Sequence, residues 1–448
     1  MLQPDGDALA NHVDRAIGAR RLVYYGIRGG DAAPVDDLNL SAVVSLTDRY
    51  SGRSDVTTFA AEAISGHRID LDGVVVMEPF VEAALRDALR DALDGGGVLM
   101  TYRPNPVVAE VVDAIDADIT HAGIPHTLQS SFEYKPWVDS ELSKRGMPTL
   151  GWTLVRRDDR VLVQRWLEGG DVILRPTAGT GGYGTRRLGS IEAFDEAMAA
   201  SLESTMSISR YRPGGWAVNI NAVAWHTGVT LHPASLQLIG LTELVDRPFA
   251  YCGNDFGAAA RLEPIVIEEI ETRTHQVGGW IRDHGYLGAF GVDYLVFENE
   301  VVFCELNPRF QGSSRLSDRI MQRLALPTVA VEHLASTLGV LPPAARRLAD
   351  LMGSIPALAQ TVFHRRGQDR DIASIDTRRV PSGLVLDVEV ACPPEVIPDE
   401  GSVLLRAIWD GVLTDSGFEL IGDAASIVPR IRSEVVSTQP PQATSTRT

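Results

Sequence analysis

The sequence predicts a mixed α/β protein of several units: an open α/β domain first, an α+β core, and a small β-rich domain towards the C-terminal end. Three observations predict it. Short apolar runs alternate with helical periodicities through the first 128 residues. A glycine-rich stretch near residue 180 separates two strand candidates. Two further strand candidates, around residues 290 and 303, each carry an acid in an otherwise apolar run. At 448 residues the chain is too long for one core, and about two to four domains are expected.

Residues 6–20 pattern as an amphipathic helix. RLVYYGI, AVVSLT, GVVVME and GVLMTYRP follow as strands, with FVEAALRDALRDALD (80–94) as a helix between the later ones. Strands alternating with helices argue a parallel sheet covered on both faces. GIRGGDAAP (26–34) is then a loop at the carboxyl end of the first strand, where open α/β sheets bind ligands, although a plain connection fits it as well. NPVVAEVVDAIDADI (105–119) and SSFEYKPWVDSELSKRGM (130–147) read as further helices, and MPTLGWTLV opens a new unit.

DVILRPTAGTGGYGTRRL (171–188) contains Gly179-x-Gly181-x-x-Gly184. A dinucleotide site needs a helix opening at the glycines, and here Thr185–Leu188 intervenes before a helix capped by Ser190. A Walker A loop is excluded, because no Gly-Lys-Ser/Thr follows. The loop is therefore expected to join two antiparallel strands. Its glycines let backbone amides close on anionic oxygens. MSISRYRPGGWAVNINAVAWHTGVTLHPASLQLIG (206–240) reads as several strands with turns at 213–215 and 227–228. On them Asn219, Asn221 and Gln237 face either a cleft or, by default, solvent. His226 and His232 have no partner at ligand spacing.

After a helix over 262–284 comes GAFGVDYLVFENEVVFCELNPRFQGSS (288–314). With a three-residue loop at Glu298–Glu300, Phe297 faces Val301 and Asp293 lies opposite Glu305. A two-residue loop would put the acids on opposite faces. Asn307 shares the face of Glu305, and two carboxylates with an amide make an all-oxygen set suited to Mg²⁺ or Mn²⁺. Arg309 and Gln311 continue the alternation. An edge hairpin with solvated acids fits the same pattern. Ser313 and Ser314 begin a helix, as its caps or as amide donors to an anion. Two packed helices, SSRLSDRIMQRLALP and PTVAVEHLASTLG, follow.

Beyond residue 353, SGLVLDVEVACPPEVIP and SVLLRAIWDGVLTDSGFELIG pattern as strands, and 362–379 is locally basic. The expected units are residues 1–128, 129–205 with the glycine loop, 206–345, 353–435, and a compositionally disordered tail over 436–448.

A net charge of −18 argues against nucleic-acid or anionic-membrane partners. The three cysteines, Cys252, Cys304 and Cys392, form no CxxC, so neither a disulfide framework nor a zinc site is expected; Cys304 reads as core. No apolar run approaches a membrane span, and a reducing cytoplasm fits.

GVDYLVF followed by ELNPRFQGSS resembles the metal-binding end of the ATP-grasp ligases, and the resemblance covers about residues 130–340. It implies that Asp293, Glu305 and Asn307 hold magnesium against ATP. It implies that Lys135, which opens its helix in SFEYKPWVD, contacts the α- or β-phosphate; alone, Lys135 reads as a surface lysine. The loop of Gly179, Gly181, Gly182 and Gly184 would be the phosphate flap. Arg175 stands where the family has a lysine. Arg309 would steady the acylphosphate or oxyanion, with Gln311, Ser313 and Ser314 towards the substrate. No glutamate stands in the adenine hinge apart from Glu203. The implied activity is ATP-dependent, ADP-forming ligation of a small-molecule carboxylate to an amine or peptide acceptor. The NPRFQGSS string is similar to pheganomycin-type peptide ligases of actinobacterial secondary metabolism, implying antibiotic biosynthesis and a small or non-proteinogenic amino acid as donor. Gly312 and Ser313 depart from biotin carboxylase. An ATP-grasp kinase and a nucleotide-binding regulatory protein are the alternatives, and a homodimer stays open as the assembly.

Overall fold

The structure, a computed structural model, describes residues 6–69, 77–103, 105–115, 118–369, 374–375, 384–391, 396 and 398–437. Most of the strand expected at 73–78, Cys392, much of the basic stretch 362–379 and the tail from 438 lie outside them.

The first unit is a parallel sheet of β1 (Leu22–Gly26), β2 (Leu40–Ser45), β3 (Thr57–Ala60), β4 (Gly97–Thr101) and β5 (Ile119–Ala122), ordered β3-β2-β1-β4-β5. β1 and β4 are buried along their whole length, as their unbroken apolar runs require. Alternate residues serve opposite faces. Val23, Tyr25 and Leu99 pack under helices Pro79–Leu93 and Pro106–Ala114. Leu22, Tyr24, Val98 and Met100 pack against helix Gly6–Ile17 and against Phe310, Val329 and Leu334 of the core. That second face seats the unit on the large core sheet through Val223, Trp225 and Ala289.

The helix expected over 105–119 ends at Ala114, and residues 119–122 form the edge strand β5. The helix expected over 130–147 is two helices, His126–Phe132 and Lys135–Lys144, parted at Glu133–Tyr134. Their apolar side chains Phe132, Val138 and Leu142 pack in the core-sheet cluster, while Lys135 and Asp139 reach the glycine-loop unit. Each such fully buried side chain contributes about 1.5–3 kcal/mol. This anchoring fixes where Lys135 points.

The glycine-loop unit is an antiparallel sheet of β6 (Thr153–Arg156), β7 (Val172–Pro176), β8 (Arg186–Leu188) and β9 (Thr205–Arg210), ordered β6-β9-β7-β8. Helices Arg160–Glu168 and Ile191–Ala200 cover it, and the Ser190 hydroxyl caps the second by accepting from Ala193 N at 3.2 Å. The loop joins the antiparallel pair β7 and β8, as expected.

The core sheet contains β10 (Trp216–Trp225), β11 (Gly228–Ile239), β12 (Tyr251–Asp255), β13 (Gly288–Phe297), β14 (Glu300–Asn307), β15 (Leu358–His364), β16 (Val385–Val390) and β17 (Val403–Asp410). Its order is β14-β13-β10-β11-β12-β15-β17-β16. The β-rich C-terminal stretch therefore extends the core's own sheet. Helix Gly422–Val435, which the sequence patterns did not announce, covers its outer face through Ala424, Val428 and Ile431.

The β13–β14 hairpin departs from expectation in an instructive way. Its turn has two residues, with Phe297 opposite Glu300 and Glu298 at φ 54°. Turns of this length place positive φ at their first central residue. A regular ladder from that turn would put Asp293 and Glu305 on opposite faces. Instead the register shifts between Asp293 and Tyr294: Tyr294 pairs with Phe303, Asp293 with Glu305. Cys304 is the extra residue of a β-bulge, not a core residue, and it restores the shared face.

Candidate active site

Directly opposed residues on one face have Cβ atoms roughly 4.5–5.5 Å apart, so the bulge holds the Asp293 and Glu305 carboxylates side by side. Burial and the Glu305 charge push the Asp293 carboxyl well above the ordinary range. Both oxygens of Asp293 and one of Glu305 are met by donors. Asp293 Oδ1 accepts from Asn219 Nδ2 at 2.6 Å and Gln237 Nε2 at 3.2 Å, and Oδ2 from Asn307 Nδ2 at 3.3 Å. Glu305 Oε1 accepts from Lys135 Nζ at 2.8 Å. Asn219, Asn221 and Gln237 thus belong to the cleft and not to solvent. Their signal was present: Asn219 and Asn221 alternate in a strand that is otherwise apolar.

The donor set fits a hard divalent cation. Two carboxylates lie opposed, and the Asn307 amide borders Asp293 Oδ2 on the same face. Among the described residues no group of three His, Cys, Asp or Glu side chains is placed to hold a metal, so this mixed set is the candidate. Asp293→Asn is expected to stabilise the metal-free protein at pH 8 by about 1–2 kcal/mol. The sign follows from the raised carboxyl: ionisation is disfavoured in the folded state, so stability falls as pH rises from the unfolded value of 3.8 through the folded one. Melting curves in EDTA at pH 4 and pH 8 check this, with the variant's advantage present at pH 8 and absent at pH 4.

Lys135 also donates to Gly179 O at 2.9 Å, which ties the glycine loop to the acids. The loop rests on the core, with Tyr251 N donating to Gly181 O at 3.3 Å. Gly182 has φ 73°, and a Cβ there would fall 1.8 Å from Phe249 O, so only glycine fits this approach.

Arg175 is placed differently from expectation. Its guanidinium pairs with Asp139, donates to Cys304 O at 3.0 Å and stacks on Trp152 at 3.7 Å. No free charge is presented to a triphosphate, and only Nε is left as a buried donor without a partner among the described residues. Burial, opposed by Arg175 and Lys135, raises the Asp139 carboxyl to about 6. Glu203 is likewise occupied, accepting from Thr177 N at 2.8 Å and its hydroxyl at 2.9 Å.

Arg309 is locked on three sides. It donates to Glu133 Oε1 at 3.1 Å, Asn307 Oδ1 at 2.9 Å and Phe310 O at 3.0 Å. Arg103 lies 3.5 Å from the same Glu133. Burial would raise the Glu133 carboxyl, but Arg309 and Arg103 hold it below the ordinary range. Neither Glu133 nor Arg103 carried a sequence signal; both sit at loop junctions.

Gln311 Oε1 accepts from Asn219 Nδ2 at 2.6 Å, while its Nε2 is a buried donor without a partner among the described residues. Ser313 does not cap its helix; its hydroxyl donates to Asn219 Oδ1 at 2.5 Å. Ser314 donates to Asn221 Oδ1 at 2.7 Å and accepts from Gln311 N at 2.8 Å. The serines therefore orient the amides. A Cβ on Gly291 would lie 1.8 Å from Gln311 Cδ. Gly291→Ala is expected to displace Gln311 and lower turnover about 10²-fold, as a misplacement near 1 Å does; steady-state kinetics beside a melting curve checks it.

Residues 156–313 match the model of an ATP-grasp domain. The eight-stranded sheet, the loop-bearing antiparallel unit and the parallel first unit together superpose on solved enzymes of this kind. The fold is ATP-grasp. The N5-carboxyaminoimidazole ribonucleotide synthetase of Thermus thermophilus matches with TM-score 0.59 and 15% identity over 94% of this chain and all of that one (100%). The biotin carboxylase domain dimer of Hydrogenobacter thermophilus 2-oxoglutarate carboxylase, in complex with MgADP, ADP and bicarbonate, matches with TM-score 0.62 and 15% identity over 87% and 86%. The carboxyaminoimidazole ribonucleotide synthase of Aspergillus clavatus, complexed with ATP, matches with TM-score 0.58 and 14% identity over 92% and 99%. No curated protein sequence matches this chain. Among the described residues, no helix is long and apolar enough to cross a membrane.

Proposed function

We propose that the chain is an ATP-dependent, ADP-forming carboxylate–amine ligase using Mg²⁺ or Mn²⁺. The observation that carries this reading is the bulge-enforced pairing of Asp293 with Glu305 beneath the glycine loop, with Arg309 two residues past Asn307. Asp293, Glu305 and Asn307 hold the metal, which neutralises charge on the phosphates when bound. Lys135 leaves Glu305 for a phosphate oxygen, the backbone of Gly179, Gly181, Gly182 and Gly184 covers the triphosphate, and Arg175 braces the cleft through Asp139 and Cys304 O. A substrate carboxylate oxygen attacks the γ-phosphorus and the bond to ADP breaks. The amine nitrogen then attacks the acyl carbon, the bond to phosphate breaks, and the amine proton leaves to solvent. Arg309 holds the developing oxyanion, and Gln311 Nε2 orients the acyl group.

In the finer reading the donor is a small or non-proteinogenic amino acid and the acceptor an amino acid or peptide, as in the pheganomycin-type ligases of secondary metabolism. Release of ADP and phosphate across a matrix of acids and amines tests it. Release that requires both partners is expected. Release with a hydroxyl acceptor would indicate a kinase, and MgATP binding without turnover a regulatory protein.

A further inference from the structure

The polar residues of the site belong to a row that crosses the core sheet. Asn219 pairs with Asp293 and Ser235, Gln237 with Asn254, and Asn254 with Gln360. Gln360 Nε2 donates to Gly312 O at 3.1 Å, so this face of β15 looks onto the loop that follows Arg309. Arg406 lies on the same face of β17, diagonal to Gln360 and directly opposite Glu389. Diagonal neighbours are roughly 7–8 Å apart.

Arg406 is only 6% exposed, and its Nε and Nη1 are buried without a hydrogen-bond partner among the described residues. A buried guanidinium left in this state is strongly disfavoured. The acids that face it from the adjoining strand are already engaged: Glu389 pairs with Arg315, and Asp387 with Arg319 at 3.0 Å.

We propose that Arg406 is a subsite for a substrate carboxylate other than the one activated, namely the free carboxylate of the amine-bearing acceptor. The proposal deepens the ligase reading and rests on it for which molecule carries the group. The unpartnered Nε and Nη1 call for one negative charge, and Glu389 directly opposite disfavours a doubly charged phosphate. The diagonal step of roughly 7–8 Å from Gln360 puts Arg406 one strand beyond the loop that follows Arg309, on the side away from the metal-binding acids.

The test compares glycine, alanine and dialanine with their C-terminal amides as acceptors, reading ADP release in wild type, Arg406→Met and Arg406→Lys. Wild type is expected to prefer the acids about tenfold or more, Arg406→Met to lose the preference and Arg406→Lys to keep part of it. Equal use of acids and amides by wild type, or an equal loss for both in Arg406→Met, would overturn the proposal. So would a change confined to preferences among donor acids, which would put the carboxylate on the wrong molecule. Should no amine support turnover, the ligase reading fails and thermal melting with sodium formate still decides the subsite. Formate then raises the Tm of wild type but not of Arg406→Met; equal responses would remove the subsite as well.

Discussion

Glu305→Ala is expected to lower acid- and amine-dependent ADP release by about 10³-fold, because the lost metal contact is worth several kcal/mol in the transition state. The change removes one of two opposed carboxylates and leaves Lys135 without its partner at 2.8 Å. The fold should survive: Glu305 is part-exposed, and its strand is held by Val301, Phe303 and Leu306 in the core. Titration with Mg²⁺ beside the kinetics separates the causes. Weaker metal dependence with the loss in turnover supports a ligand role, whereas an unchanged Mg²⁺ requirement would place the metal elsewhere.

Arg309→Ala is expected to cost about 10²–10³-fold in kcat, the range for removing one preorganised donor to a developing oxyanion. Its three hydrogen bonds hold the guanidinium in place before substrate arrives, so little reorganisation accompanies the reaction. MgATP affinity should hardly move. A matching fall in MgATP affinity would mean that Arg309 serves the nucleotide. Glu133→Gln offers a milder form of the same test: it keeps an acceptor for Arg309 Nε but leaves Arg309 and Arg103 facing each other without a countercharge.

Much of this site was legible in the chain. The Asp293, Glu305 and Asn307 set, the glycine loop as an antiparallel connection, and Ser190 as a cap all follow from local pattern, which depends only on neighbours in sequence. The hairpin shows the limit. Its acids pair as expected, yet by a two-residue turn and a bulge at Cys304 that together do the work of the three-residue loop first inferred. A bulge leaves the alternation of apolar residues nearly unchanged, so period alone does not reveal it. Arg175 shows another limit. Its residue type fits a phosphate contact, but Asp139 and Trp152 come from other segments and claim the guanidinium. Likewise β5 was hidden within a helical pattern, since Ile115 and Ile119 continue the helix spacing across a chain that has already turned. The union of β15, β16 and β17 with the core sheet is a matter of long-range pairing, on which strand patterns are silent.

The most direct test of the central claim follows oxygen. An acid substrate labelled with ¹⁸O in its carboxylate is turned over with ATP and an amine, and the released phosphate is analysed by mass. Transfer of one ¹⁸O atom into phosphate is predicted, because the carboxylate oxygen bonds to the γ-phosphorus and leaves with it. Unlabelled phosphate released alongside amide product would contradict the acylphosphate route, and with it the roles given to Asp293, Glu305 and Arg309.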